Sequence, residues 1–170
     1  MKFTTLLLPL TLATTTLAET KTIVSALATV DTATTKLGSA VTSWRGDLLG
    51  TLPIIADSTS LLVKVKQGTK TAENSAALDL PATLEVATAT NKLVASVNTT
   101  LGALISAKKK FDKLLLSPII FGNLELQKCA TDEMSKAIIA KVPANLQDLA
   151  KGLVAPISKS FDLALDVFHP

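Results

Sequence analysis

Apolar residues recur at alternating spacings of three and four along five successive segments of this chain. An α-helix has 3.6 residues per turn, so this spacing places them on one helix face. The first stripe consists of Ile23, Leu27, Val30, Leu37, Val41 and Trp44. Strand-like alternation and Asn-Gly or Asp-Gly hairpin signals are missing from the sequence. The pattern predicts an all-α, single-domain bundle of about five long amphipathic helices.

Proline residues mark the beginnings of the later segments. Proline is tolerated in the first helical turn, where its missing N–H would have no partner. The positions are Pro53, Pro81, Pro118 and Pro143. We expect Ser117 to be the N-cap of the fourth helix, Gly38 to be a candidate bend in the first, and Pro156 to kink the fifth.

The fourth segment has a less regular stripe. Its inner side is assigned to Leu126, Ala130, Met134, Ala137 and Ile138, whereas Phe121 and Leu124 lie on another side. This helix is therefore either covered on two faces or broken near Gly122 and Asn123. Cys129 neighbours the assigned stripe, which predicts that its thiol is buried at the margin.

The N-terminus has the pattern of a secretory signal peptide over residues 1–18. Lys2 precedes a short leucine-rich stretch, and Thr16-Leu17-Ala18 supplies small residues before the expected cut. The alternative is a buried N-terminal helix. The stretch is too short and too rich in threonine to span a bilayer, and the C-terminal segment lacks a continuous apolar tail. We expect a released domain over residues 19–170, with a formal charge that falls from +3 to +2 on loss of Lys2. So small an excess does not indicate nucleic-acid binding.

Groups that carry chemistry are scarce. The chain is 48% hydrophobic but has one histidine, His169, and one cysteine, Cys129. One histidine beside the C-terminus is a poor candidate for a Ser-His-Asp triad, and one histidine with one cysteine is too few for a zinc site. Phosphate-binding and dinucleotide motifs do not occur. The run Lys108–Lys110 is interpreted as a solvated helix end. We therefore expect no catalytic residue, metal or cofactor, and a protein that binds rather than catalyses.

Asn98-Thr99-Thr100 is an N-glycosylation sequon inside the third helical segment. Asn98 lies about 100° around the helix from Val97, so its side chain can point to solvent. In a secreted protein this predicts a glycan on Asn98.

The stripes allow two interpretations of the interior. Most of these residues must form an ordinary helical core, and alanine lets helices approach closely. However, five phenylalanines and one tryptophan leave little bulk for the centre of such long helices. A gap lined by Leu, Val and Ile would be dry and would accept an alkyl chain.

Several motifs resemble fungal hydrophobic surface binding protein A domains. The carrying segments are Ser43-Trp44-Arg45-Gly46-Asp47-Leu48-Leu49 before Leu52-Pro53-Ile54, then Ala107-Lys108-Lys109-Lys110-Phe111-Asp112, and Ala140-Lys141-Val142-Pro143-Ala144-Asn145-Leu146. The resemblance covers nearly all of the expected mature chain. It implies a secreted, all-helical fungal protein. Members of that family adsorb to hydrophobic surfaces and can recruit a polyester-degrading hydrolase. The similar lipid-binding domains of cell-wall galactomannoproteins enclose fatty acids between helices.

The stripes and the resemblance together predict a secreted, non-catalytic protein that holds a fatty acid or similar lipid between its helices. The expected lipid-binding residues are Leu37, Val41, Leu61, Val65, Leu93, Val97, Leu104, Leu153, Ile157 and Phe161. The main alternative is an adhesion protein that adsorbs to wax or polyester and recruits a secreted hydrolase. A third hypothesis is a protein that only contacts another protein. The resemblance also includes cell-wall proteins, so wall association belongs to the expectation.

Overall fold

The computed structural model describes the backbone of residues 12–169 and the side chains of residues 22–169. Five α-helices follow one another: α1 (Leu12–Ser43), α2 (Thr51–Asn74), α3 (Leu80–Lys113), α4 (Ser117–Ile139) and α5 (Gln147–Phe168). A short 3₁₀ helix, Ala144–Leu146, precedes α5. No strand occurs in the described residues, so the all-α expectation is confirmed. Residues 1–11 of the expected signal peptide lie outside the described residues, and residues 12–18 have the helical backbone of α1.

The helix boundaries follow local chemistry. Asp79 precedes α3, and its side chain accepts a hydrogen bond from the Ala82 N–H at 2.8 Å, with Pro81 in the first turn. The expected N-cap role of Ser117 is wrong. Ser117 is the first residue of α4, and its hydroxyl donates to Asp112 Oδ1 at 2.5 Å instead. Helix α5 continues through Pro156.

The five helices form a closed ring. Helix α1 packs against α2 and α3, α5 packs against α3 and α4, and α2 packs against α4. Ser96 contacts Asp31 and Phe111 contacts Trp44, so α1 runs parallel to α3. Gln127 contacts Ser58 and Met134 lies beside Gly68, so α2 runs parallel to α4. Ser160 contacts Asn98 and Phe168 contacts Phe111, so α5 also runs parallel to α3.

Helices α1 and α2 are antiparallel, because the short connection between Ser43 and Thr51 turns the chain back and Lys36 pairs with Asp57. Helices α1, α3 and α5 therefore run in one direction and α2 and α4 in the other. Each of the five helices has one face directed toward the centre of the ring.

Aromatic residues close one end of the ring. The rings of Trp44 and Phe111 lie 4.4 Å apart, and Phe168 meets Phe111 edge-on at 6.0 Å. Lys110 Nζ donates to the Trp44 carbonyl at 2.6 Å, and Lys108 lies over the Phe168 ring. These two lysines therefore hold the aromatic end together. The sequence predicts a solvated helix end for the run Lys108–Lys110, but only Lys109 of the three is exposed.

Gly38 permits a close approach of α1 to α3. A Cβ atom at this position would lie 2.6 Å from Thr100 Oγ1. The same hydroxyl donates to the Thr34 carbonyl across the helix pair at 3.0 Å. The structure continues α1 through Gly38 to Ser43, so the glycine serves contact between helices.

The inner face of α4 differs from the expected stripe. Leu124, Gln127, Met134 and Ile138 are buried, together with Ala130. Leu126 is 57% exposed and Cys129 is exposed, so their expected burial is wrong. The inward face of α4 includes Gln127. Because the expected stripe is based on apolar residues alone, it is rotated around the helix relative to this face. Helix α4 is also unbroken at Gly122 and Asn123.

Candidate functional site

A cavity of about 320 Å³ lies at the centre of the ring, and all five helices contribute to its wall. This volume is at the lower end of the range of small-molecule sites, which is roughly 300–1,000 Å³. Five helices in a ring leave a central space that their side chains must fill. Here they are mostly Leu, Val and Ile, and Phe161 is the one aromatic residue among those that line the space.

Nine of the ten predicted lipid-binding residues line this cavity. They are Leu37, Leu61, Val65, Leu93, Val97, Leu104, Leu153, Ile157 and Phe161. Val41 is buried but does not belong to the wall of the cavity. Sequence reasoning also missed wall residues on α4, among them Ile120 and Leu124, because the stripe assigned there was rotated.

Among the described residues that line the cavity, none has a charged side chain. Several of its polar residues are threonines whose hydroxyls donate to carbonyls one turn earlier in the same helix. Thr34 donates to Val30 at 2.8 Å and Thr90 to Val86 at 2.8 Å. A threonine satisfied in this way brings little unpaired polarity to the cavity. The site is therefore suited to apolar molecules.

One polar cluster interrupts the apolar wall, where α2 faces α4. The Ser58 hydroxyl donates to Asn123 Oδ1 at 2.5 Å, and Gln127 Nε2 donates to the Ser58 carbonyl at 2.8 Å. All three residues line the cavity, and Gln127 is only 5% exposed. Thr131 and Ser135 continue the polar row along α4. A row of Asn, Gln, Thr and Ser at helical spacing was the sequence signal for it.

The cavity wall reaches the surface at two places. Ile55 of α2 and Ile119 of α4 line the cavity and are also exposed. Leu80 and Leu84 of α3 and Leu149 of α5 do the same near the other end of the ring. Large apolar residues that border both a cavity and solvent form the rim of a site open to a ligand.

The groups with shifted pKa values lie outside the cavity wall. Hydrogen bonds from Lys108 and Ser117 lower the pKa of Asp112. A hydrogen bond from Lys151 lowers the pKa of Asp148, and one to Asp132 raises the pKa of Lys128. None of the described residues that line the cavity has a titratable side chain. Within the described residues, no group of three or more His, Cys, Asp or Glu side chains could hold a metal ion.

The remaining sequence candidates lie on the surface. Asn98 is exposed and accepts a hydrogen bond from Ser160 at 2.7 Å, while Thr100 of the sequon is buried. Its glycosylation stays a prediction. His169 meets the ring of Phe121. Phe121 precedes Cys129 by eight residues on α4, or about 12 Å along the axis, so histidine and thiol do not form a pair.

Similarity to known proteins agrees with this geometry. Residues 20–140 match the family profile described as "Hydrophobic surface binding protein A". Cell wall mannoprotein 1 of Aspergillus fumigatus is 30% identical over 145 residues, which are 85% of this chain and 50% of that protein. The chain thus spans about half the length of this relative.

Solved structures share the fold. Afmp4p in complex with palmitic acid has a TM-score of 0.85 at 26% identity, covering 88% of this chain and 99% of that one. Ligand binding domain 1 of the Penicillium marneffei MP1 protein, complexed with arachidonic acids, has a TM-score of 0.85 at 17% identity, covering 89% and 99%. These matches confirm the resemblance that the sequence motifs indicated. No described helix combines the length and the apolar character that a membrane span needs.

Proposed function

Because the chain belongs to the hydrophobic surface binding protein A family, we propose that it is a secreted, non-catalytic protein that holds a fatty acid or similar lipid in its central cavity. The observation that carries the proposal is the cavity of about 320 Å³, in whose wall the structure describes no charged residue. The solved relative that binds palmitic acid supports the same ligand class. Residues 1–18 are proposed to direct secretion and to be removed from the mature protein. The proposed location is extracellular or in the cell wall, like that of the mannoprotein relative.

Burial of the acyl chain supplies the affinity. Each methylene group removed from water contributes about 0.8 kcal/mol. Ordering of the ligand and loss of its free translation offset part of this gain. A long acyl chain therefore reaches micromolar affinity, about −8 kcal/mol. The nine predicted residues that line the cavity are the proposed contacts, and Val41 supports them from the core.

The polar head is proposed to lie against the cluster of Ser58, Asn123 and Gln127. These side chains carry both donors and acceptors, so they can pair with a carboxylic acid, an alcohol or an amide. No described residue of the cavity wall supplies a cation to a carboxylate. A carboxyl group buried there is therefore favoured in its neutral form.

Lipid analysis of the secreted protein tests the proposal. We expect acyl lipids to co-purify with the protein and to be identified by mass spectrometry after extraction. Palmitic acid added back to stripped protein should raise the melting temperature, because a ligand that binds only the folded state stabilises it. Stripped protein whose melting temperature is unchanged at saturating palmitic acid would contradict an enclosed lipid.

Adsorption to wax or polyester, with recruitment of a hydrolase, is the second candidate function. The exposed leucines and isoleucines at the cavity rim favour it, since they offer apolar surface without unfolding. Adsorption that persists after the cavity is filled by mutation would separate this function from lipid binding.

A further inference from the structure

Half of the large exposed hydrophobic residues of the described chain lie at the aromatic end of the ring. They are Leu48, Leu49, Leu52, Ile55, Leu115 and Ile119, which we name the apolar tip. Their side chains are between 45% and 84% exposed. The α1–α2 and α3–α4 connections both carry such residues. Contact between Trp44 and Phe111 holds these two connections side by side.

Leu115 shows that exposure at the tip is costly. Its φ of 59° is left-handed, a region that disfavours leucine. The Leu116 N–H donates to the Phe111 carbonyl at 3.0 Å and the Leu115 N–H to the Asp112 carbonyl at 3.0 Å. This is the Schellman arrangement, in which glycine usually takes the left-handed position. The leucine side chain is 84% exposed, so internal contacts do not explain why leucine stands there.

Basic residues surround the apolar tip. Residues 44–55 and 108–119 contain five cations and two carboxylates. Their net charge is therefore +3, as large as the formal net charge of the entire chain. Arg45, Lys109 and Lys113 are exposed and form no ion pair with a described residue. Asp112 is neutralised by Lys108 at 2.6 Å. The last turn of α5 adds one carboxylate, Asp166, at this end. An apolar surface with a basic border complements an anionic lipid surface.

The tip is continuous with the cavity. Ile55 and Ile119 belong to both, because each lines the cavity and is also exposed. We propose that the apolar tip docks the protein on anionic lipid bilayers, with Leu49 and Leu115 inserted and with Arg45, Lys109 and Lys113 at the head groups. This docking goes beyond the proposed function and does not require the cavity to be filled.

Leu115→Gly separates docking from stability. Glycine relieves the left-handed strain, so the melting temperature should rise by about 2–4 °C. Loss of the inserted side chain should weaken binding to vesicles of equimolar phosphatidylcholine and phosphatidylglycerol about tenfold. Flotation of the vesicles measures binding. Leu163→Ser, at an exposed position of α5 outside the tip, is the control and should bind as wild type.

The basic border is tested with matched double variants. Lys109→Gln with Lys113→Gln should weaken binding to the same vesicles about tenfold or more, since each lysine near an anionic surface contributes about fivefold. Lys66→Gln with Lys70→Gln, on exposed positions of α2, should bind as wild type. Vesicles of phosphatidylcholine alone should bind wild type weakly.

Three results would overturn the docking surface. The first is vesicle binding by Leu115→Gly that equals wild type. The second is wild-type binding that does not depend on anionic lipid. The third is a wild-type dimer in sedimentation that Leu115→Gly dissociates, which would assign the tip to a second copy. If Leu115→Gly unfolds, Leu49→Ser decides by the same assay. Palmitic acid binding, measured on each variant, should be unchanged, so failure of docking and failure of the proposed function are distinguishable.

Discussion

Gln127 on α4 donates a hydrogen bond to the backbone carbonyl of Ser58 on α2 at 2.8 Å, in the wall of an otherwise apolar cavity. A buried glutamine needs such a partner because desolvation of an unpaired amide is costly. The bond joins two helices that are not consecutive along the chain and places polar atoms where a lipid head can reach them.

Gln127→Leu should separate head-group binding from chain binding. The variant should bind palmitic acid roughly fivefold more weakly, which corresponds to one lost hydrogen bond of about 1 kcal/mol. Its affinity for a hydrocarbon of equal length should not fall, since leucine keeps the wall apolar. Displacement of a fluorescent lipid measures both affinities. Equal losses for the two ligands would contradict a head-group role for the cluster.

Val97→Phe should fill part of the cavity. Val97 lines it on α3, and a larger side chain there occupies space that the acyl chain needs. We expect palmitic acid affinity to fall by about tenfold or more, with folding retained. Val63→Phe, on the exposed side of α2, is the matched control and should bind as wild type. Unchanged affinity of Val97→Phe would place the ligand elsewhere.

Gly38→Ala and Gly102→Ala should change stability in opposite directions. A Cβ at Gly38 would lie 2.6 Å from Thr100 Oγ1, so separation of α1 and α3 should cost about 1–3 kcal/mol. A Cβ at Gly102 meets no atom within 4 Å, and alanine in α3 should stabilise by about 0.5–1 kcal/mol. Urea denaturation of both variants measures the free energy of unfolding. A stable Gly38→Ala would refute the close approach.

Asp112 should make part of the stability sensitive to acid. Hydrogen bonds from Lys108 and Ser117 lower its pKa below the ordinary value of 3.8. A lowered carboxyl pKa stabilises the fold above the unfolded pKa, and that contribution is lost as pH falls through the folded pKa. The melting temperature should therefore fall less steeply below about pH 4 in Asp112→Asn than in wild type. An equally steep fall in the two proteins would contradict this contribution of Asp112.

Cys129 should react as a surface thiol. Because its side chain is exposed, a thiol reagent should label the folded protein completely without denaturant. Cys129→Ser should abolish labelling and any disulfide-linked dimer that forms in an oxidising medium. If labelling required denaturant, the exposure of Cys129 would be wrong and the burial predicted from the sequence pattern would be right.

Local patterns were sufficient for the helices but not for every inward face. On α3 the apolar spacing identified Leu93, Val97 and Leu104, and all three line the cavity. On α4 it selected Leu126, which is exposed, because the inward position at Gln127 is polar. A glutamine counts against burial in a sequence pattern, and only its hydrogen bond to another helix makes burial favourable.

The sequence by itself determined the all-α class, the starts of α2, α3 and α4 near prolines and most of the apolar faces, because these depend on interactions within a few residues. Pro143 instead precedes the 3₁₀ helix, and α5 begins at Gln147. The tertiary structure decided which inward residues meet a neighbouring helix and which meet empty space. Val41 and Val97 lie on equally apolar stripes, yet only Val97 lines the cavity. The closed ring of five helices makes that difference, since contacts between helices distant in sequence fix where the central space remains.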